Sequence, residues 1–427
     1  MVVIDRDAVA ALRSERIDWR FKGLPAQAFG STLGEVADAG LNLFEDGFVA
    51  PLVVLDAAAL EHNMRVMADW CSDNGLALAP HGKTTMAPQL FARQLDHGAW
   101  GITAANLSQL RVYRAFGVSR VLFANQLVDP AGLRWLAGEL DRDPGFEFTC
   151  WVDSVEGVAR MTEVLDRPVD VLVELGGAGG RTGARSVHAA IEVAEAVRRS
   201  PVLRLVGAGG YEAAITSGID HNGLSKVDYY LADLRELVTR LAAQGQFDEV
   251  EQVIVTGGGS AYFDQVAEAF TQGWPQGLNV LGVLRSGAYL THDDGLYRET
   301  SPFCREHRLP GGEPFRSAMH AWAQVSSQPE PGLALLTMGR RDVSFDQHLP
   351  EVQLRRDPDG STTALTGSAV TKLNDQHAFL ELGGADSVTV GDWVRFGLSH
   401  PCTVFDKWPL LAVVDGERVV DLVRTFF

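Results

Sequence analysis

Cysteine is scarce in this chain: only Cys71, Cys150, Cys304 and Cys402 occur among 427 residues, with no CxxC pair. That excludes a disulfide-stapled secreted scaffold and points to a reduced, cytoplasmic compartment. No apolar stretch reaches the roughly 18 to 20 residues a membrane-spanning helix needs. Met1 to Lys22 carries Asp5, Arg6, Asp7, Arg13, Glu15 and Arg16 and lacks the apolar core of a signal peptide. Positive charge is short as well. Lys and Arg number 37 against 55 Asp and Glu, for a formal charge of −18. Such a balance disfavours nucleic acid and anionic membrane as partners, and leaves a small molecule as the expected one. Internal repeats and low-complexity segments are also missing.

At 46% hydrophobic residues the chain can bury a large core. Its length suits two or three domains, although a barrel of about 250 residues counts as one. From about residue 57 to 290, short apolar runs alternate with helical patterns. The strand candidates are Leu76–Lys83, Trp100–Ala104, Arg120–Asn125, Glu147–Asp153, Asp170–Leu175, Arg204–Gly210, Glu251–Thr256 and Asn279–Arg285. They are rich in Val, Ile, Leu and Phe and bounded by Gly, Pro, Asn or Asp. Helical patterns such as Met86–Gly98, Leu107–Phe116 and Lys226–Ala243 lie between them. In the last, Val227, Leu231, Leu234, Leu237, Val238 and Leu241 recur at spacings of three and four. Eight strand–helix units predict an α/β fold, a (β/α)8 TIM-type barrel.

A ninth run, Pro51–Asp56, precedes the first unit and is assigned to another layer. After about residue 300, Pro and Gly cluster in Leu309–Pro314 and Gln328–Gly332. Short runs follow at Ala334–Met338, Thr362–Leu365, Ala378–Leu382, Trp393–Phe396, Leu411–Val414 and Arg418–Val423. Turn signals at Asp357–Gly360, Gly383-Gly384 and Asp415-Gly416 predict a C-terminal antiparallel β domain. The expected divisions are residues 1–56, an N-terminal segment associating with the β domain; 57–300, the barrel; and 301–427, the β domain.

Three motifs carry chemistry. Lys83, in Pro80-His81-Gly82-Lys83-Thr84-Thr85, ends the first barrel strand on the face where barrels place active sites. Partial desolvation there lowers a lysine pKa and makes the amine nucleophilic. His81, two residues earlier, points to the same side. The competing reading is a strand-end lysine snorkelling to solvent. Gly82-Lys83-Thr84 is not a P-loop, because Ala77 stands where the motif needs glycine.

Thr256-Gly257-Gly258-Gly259-Ser260 follows the seventh strand and precedes the helix pattern Phe263–Phe270. Gly258 and Gly259 let backbone N–H groups approach an anion, and Ser260 adds a hydroxyl. Arg285-Ser286-Gly287-Ala288 ends the eighth strand. Barrel phosphate sites usually follow strands seven and eight, and this count is the reason for leaving Pro51–Asp56 outside the barrel. A plain glycine-rich turn is the alternative. The loop Gly176–Gly183 lacks GxGxxG spacing and is read as a βα loop carrying Arg181 to the barrel mouth, or as a solvated surface segment. His400-Pro401-Cys402 puts an imidazole and a thiol on one face of extended chain. The pair is half of a zinc site, or a buried Cys beside a satisfied His.

Together these residues resemble the D-threonine aldolase/D-serine dehydratase branch of the alanine-racemase-like, fold type III pyridoxal-phosphate (PLP) enzymes. The resemblance runs from Pro51–Asp56 through the lysine motif, Gly180-Arg181-Thr182-Gly183 and Thr256-Gly257-Gly258-Gly259 to His400-Pro401-Cys402. It implies that Lys83 carries PLP covalently, with Arg181 near the phenolic oxygen, Tyr211 near the cofactor, and Gly258, Gly259, Ser260, Gly287 and Ala288 at the phosphate. Arg285 resembles the arginine that faces the pyridine nitrogen in alanine racemase. His400 and Cys402 match the dehydratase ligands of a divalent metal, zinc or manganese; the aldolases typically have Asp in place of that Cys. Ala79, Thr85 and Met86 depart from the family's flanking Arg, His and Lys and resemble a subgroup labelled amino-acid deaminases.

The resemblance implies a cytoplasmic homodimer with shared active sites. It also implies a lyase that removes water and ammonia from a D-β-hydroxy amino acid such as D-serine. Aldol cleavage to glycine and an aldehyde, racemisation, and non-enzymatic PLP binding are the alternatives.

Overall fold

The structure is a computed structural model that describes residues 2–305 and 314–427. The Pro- and Gly-rich cluster at 309–314 therefore falls almost wholly outside the described residues. Eight parallel strands form one sheet: β2 (Ala77–Leu78), β3 (Ile102–Ala104), β4 (Arg120–Gln126), β5 (Glu147–Val152), β6 (Val169–Leu175), β7 (Leu203–Gly210), β8 (Val253–Gly257) and β9 (Val280–Leu284). The order β2-β9-β8-β7-β6-β5-β4-β3 is closed by a parallel bridge from His81 to Thr103. The expected barrel is therefore present.

The first barrel strand is much shorter than the apolar run that marks it. Pro80 has no N–H to give to a ladder, so regular pairing stops before it. The backbone stays in register through single bonds: Ala79 N–H donates to Leu284 O (2.8 Å) and Thr103 N–H to Pro80 O (2.9 Å). Beyond His81 the chain tightens into the 3₁₀ turn Gly82–Thr84, which ends at the barrel mouth.

Helices pack outside the barrel by the periodicity read from the sequence. His221–Ala243 buries Val227, Leu231, Leu234, Leu237, Val238 and Leu241. It starts five residues before the apolar repeat, because Asp220 caps it by accepting the Gly223 N–H at 2.8 Å. Among the described residues no helix is long and apolar enough to cross a membrane.

The strand β1 (Leu52–Asp56) lies outside the barrel, between two strands of the C-terminal half. It pairs antiparallel with β10 (Met319–Glu330) and parallel with β17 (Leu410–Asp415). β11 (Leu333–Leu336), β12 (Glu351–Arg356), β13 (Thr362–Ala364), β14 (Ala369–Leu373), β15 (Ala378–Glu381), β16 (Trp393–Gly397) and β18 (Arg418–Arg424) complete a ten-stranded sheet. Asp357–Gly360 joins β12 to β13 and Gly416 lies in the turn from β17 to β18. Gly383-Gly384 closes no hairpin; it opens the loop from β15 to β16, with the Gly383 backbone packed on Gly367.

The N-terminal segment touches both halves. Around its first helix it leans on the barrel through Asp5 N–H to Phe116 O (2.9 Å) and the Arg6–Asp96 ion pair. Ile17, Phe21, Leu24 and Leu33 pack instead with Trp322 and Leu422 of the β sheet.

The two halves are coupled where the last barrel strand exits. Leu290, in the 3₁₀ turn after β9, is fully buried in the β-domain core with Leu55, Met319 and Phe396. Leu290→Ala should cost about 2–5 kcal/mol in urea unfolding; a cost below about 1 kcal/mol would show that the halves are not coupled there.

Candidate active site

One cavity of about 480 Å3 opens at the C-terminal ends of the barrel strands, under the β domain. Every residue singled out from the sequence borders it. Lys83 and His81 enter from the first strand, Arg181 from the loop after β6, and Tyr211 from the end of β7. Gly258, Gly259 and Ser260 follow β8, while Arg285, Gly287 and Ala288 follow β9. His400 and Cys402 come from the β domain. Polar wall residues that were not singled out as site residues include Asn125, Thr182, Tyr297 and Thr403.

The lysine turn is wedged between two loops. A Cβ on Gly287 would sit 2.8 Å from both His81 O and Thr84 Oγ1, so only glycine allows this approach. Thr84 in turn lies 3.5 Å from Cys402 Sγ. Lys83 keeps accessible surface toward the cavity, yet the protein around it penalises its charge. Burial, reinforced by Arg181 and Arg285, holds the amine below the usual lysine range, against an opposing effect of Cys402. His81 is held well below 6.5 by burial and the same cations, and its Nδ1 has no hydrogen-bond partner.

Arg285 is 2% exposed. Its Nη1 donates to Thr256 Oγ1 and its Nη2 to Gly210 O, both at 2.6 Å. Nε has no partner, and the guanidinium stacks on Trp151, 4.8 Å from the ring centroid. Tyr211 lies beneath Arg181, which is 5.0 Å from its ring centroid, and burial pushes the phenol up.

The glycine loop differs from expectation in one respect. Gly258 is left-handed (φ +89°), as an anion-binding turn requires. Its N–H, however, donates to Glu212 Oε2 (3.1 Å), and the Gly259 N–H donates to Glu212 Oε1 (2.5 Å). Glu212 is fully buried. Ser260, Gly287 and Ala288 line the cavity beside this loop and would be the groups available to a phosphate.

The loop bearing Arg181 is fastened from below. Thr182 Oγ1 donates to Glu174 Oε1 (2.9 Å) and Gly183 N–H to Asp153 Oδ2 (3.1 Å). Burial pushes Glu174 up, against its bonds to Gln126 and Thr182.

On the β-domain wall, His400 Nδ1 is 2.5 Å from Asp346 Oδ2, and Asp346 also accepts from Thr403 at 2.8 Å. Hydrogen bonds to Cys402 and Asp346 raise the imidazole to about 9. With Nδ1 committed to a carboxylate, Nε2 is the ring atom on which a cation could replace a proton, a common arrangement around metal-bound histidine. His400 and Cys402 therefore fit a divalent ion as two protein ligands. Among the described residues no group of three or more His, Cys, Asp or Glu side chains is arranged for metal.

PLP fits the opposite wall. It would need a lysine amine that loses its proton readily, a buried donor for the ring nitrogen, and a close-packed loop for the phosphate. Lys83, the partnerless Nε of Arg285, and the Ser260 and Gly287 turns have those properties.

Comparison with known proteins agrees with this layout. Residues 55–272 match the family described as "Alanine racemase, N-terminal domain". Residues 318–414 match "Putative serine dehydratase domain". A D-threonine aldolase of Arthrobacter sp. is 25% identical over 378 residues, covering 87% of this chain and 90% of the relative. A 3-hydroxy-D-aspartate aldolase of Paracoccus denitrificans (strain Pd 1222) is 26% identical over 386 residues, covering 86% and 93%. The crystal structure of D-threonine aldolase from Filomicrobium marinum superposes with a TM-score of 0.74 at 22% identity, covering 90% of this chain and 97% of that one.

His81 makes a pH prediction. Its folded pKa lies below the unfolded value, so unfolding takes up a proton once the pH falls below about 6.5. Stability from this group is present above that pH and declines below it, by up to about 1.4 kcal/mol per pH unit. Urea unfolding at pH 7 and pH 5 should show a smaller acid loss in His81→Gln than in the unsubstituted protein; equal losses would contradict a neutral, buried His81.

Proposed function

The chain belongs to the alanine racemase N-terminal domain family of PLP enzymes, and we propose that it is a lyase that eliminates water from D-β-hydroxy amino acids, giving a 2-oxo acid and ammonia. One observation carries this reading: a readily deprotonated lysine and a His–Cys pair face each other across one cavity of about 480 Å3. The first suits proton removal at Cα and the second suits activation of a leaving group at Cβ.

Bound PLP supplies the electron sink for the pair left at Cα. Lys83 would hold it, with Arg285 on the side of the ring nitrogen, Arg181 and Tyr211 toward the phenolic edge, and Ser260, Gly287 and Ala288 toward the phosphate. Lys83, freed by the incoming substrate amine, takes the α-proton onto Nζ. Its neutral form is favoured by burial and by the two arginines. A zinc or manganese ion on His400 and Cys402 would polarise the β-hydroxyl as a Lewis acid. Asp346 fixes the imidazole for that task. The β-hydroxyl would leave with the Cβ–O electron pair and take back the proton held on Lys83 Nζ, departing as water; a water molecule then hydrolyses the enamine to 2-oxo acid and ammonia. Cys402 rather than Asp at the second ligand position supports elimination over aldol cleavage.

Aldol cleavage is the second reading, because the curated relatives, three in number, are named aldolases. There the bond broken is Cα–Cβ, and the products are glycine and an aldehyde. A homodimer in which one barrel mouth faces the partner's β domain is part of the proposal. The exposed Phe345 and Leu349, which flank Asp346 in sequence, support such a contact.

D-serine and D-threonine should yield 2-oxo acid and ammonia without glycine, and a chelator should slow turnover by roughly a hundredfold. Glycine as the main product would select the aldolase reading. Lys83→Ala should remove the visible absorbance of bound PLP; a band that persists would remove Lys83 from the site.

A further inference from the structure

Asp293 lies between the last barrel strand and the β domain and is 3% exposed. Burying a carboxylate is costly unless donors surround it. Here four backbone N–H groups do so. Oδ1 accepts from Gly295 (3.0 Å), Tyr297 (2.7 Å) and Arg298 (3.3 Å). Oδ2 accepts from His400, 107 positions along the chain, at 2.8 Å.

The two oxygens serve different walls of the cavity. Oδ1 builds the turn into the helix Leu296–Thr300, whose Tyr297 lines the cavity. The Tyr297 hydroxyl has no hydrogen bond to any described residue. Oδ2 holds the backbone of His400, which is left-handed at φ +57°. For a non-glycine residue that conformation is unfavourable and persists only where its surroundings impose it.

The two segments do not need Asp293 merely to stay adjacent. Asp294 N–H donates to Leu398 O (2.9 Å) and Leu296 N–H to Ser399 Oγ (3.1 Å). What Asp293 adds is the setting of His400 itself. We propose that Asp293 is a positioning residue that fixes His400 and Tyr297 in one geometry, so that the cation-binding edge and the phenol wall are set together. Its cation half rests on the reading of His400 and Cys402 as ligands.

Asp293→Asn tests this. An amide keeps one oxygen and replaces the other with a donor. Three N–H groups on one side against one on the other settle the oxygen toward Gly295, Tyr297 and Arg298. The amide nitrogen then faces the His400 N–H, donor against donor. In the full-length PLP-loaded protein, hydrogen–deuterium exchange at the His400 amide should rise roughly tenfold or more, while Tyr297 stays protected. The dissociation constant for Zn2+, read by chelator competition, should rise about 10- to 100-fold. Unchanged exchange at His400 overturns the proposal, and so does faster exchange with unaltered Zn2+ affinity. Absence of Zn2+ binding by the unsubstituted protein refutes the cation reading instead, while the exchange result still decides whether Asp293 sets His400. Should the Asn variant fail to fold, Asp293→Glu, which displaces the charge by one methylene, should speed exchange at His400 or Tyr297; protection of both overturns the proposal.

Discussion

Everything at the site depends on the close contact between the Gly82–Thr84 turn and the loops that surround it. Thr84 touches Cys402 of the β domain on one side and fits against Gly287 of the eighth barrel loop on the other. The second approach tolerates no bulkier residue at Gly287. Lys83 is carried on this turn, so its direction follows from the packing of its neighbours more than from its own conformational preferences. The same crowding disfavours its charge and leaves His81 Nδ1 without a partner. An amine held below the usual lysine range is thus a by-product of the way two domains meet.

The chain builds that meeting by leaving the β domain, making the barrel, and returning. β1 lies between β10 and β17, so its pairing is complete only when the last third of the chain is in place. The barrel is inserted between two parts of one sheet. Its entry, at Asp56, and its exit, near Leu290, are both held by that sheet or its core. A barrel free to rock against the sheet would separate Lys83 from Cys402; this topology ties the two ends down. Asp293, just past the exit, takes its place in the same arrangement.

Much of this was legible in the sequence, and the limits have physical causes. The barrel strands are buried on both faces, so they read as continuous apolar runs, and their count located the phosphate loops. Lys83, Arg285 and the glycines sit at strand ends, where the register of the fold fixes them. β10 escaped notice because polar His320 and Gln324 interrupt its buried residues Met319, Ala321, Trp322, Ala323 and Val325, and its last residues are polar and largely exposed. Thr182 lies in a loop, whose path follows no periodicity, while Asn125 near the end of β4 and Tyr297 in the short helix Leu296–Thr300 are set against the cavity only by the folded chain. Glu212 stands beside Tyr211 in the sequence, but only the folded β8 loop reveals that its carboxylate takes the two glycine N–H groups. Asp293 and Asp346 act on a residue 107 and 54 positions away, a relation no local pattern encodes.

Arg285 then bears on which reaction the site suits. Its two Nη groups are committed to Thr256 and Gly210, so Nε alone is left without a partner among the described residues. Burial works against its charge, and Glu212 is the anion that most favours it. A guanidinium donor leaves little reason for the ring nitrogen of a bound cofactor to take up a proton, and a poorer electron sink results. On the proposed reading, the wall opposite compensates. A cation on His400 and Cys402 would draw off the β-hydroxyl as the α-proton passes to Lys83, so less negative charge has to rest on the cofactor at any moment. A racemase lacks that assistance and has no use for a His–Cys pair facing its lysine. An aldolase needs the β-oxygen to lose its proton, while a dehydratase needs it to leave with its electrons. Arg285 and Cys402 are therefore best understood as a matched pair: the weaker the sink on the barrel side, the more the chemistry must lean on the β-domain side.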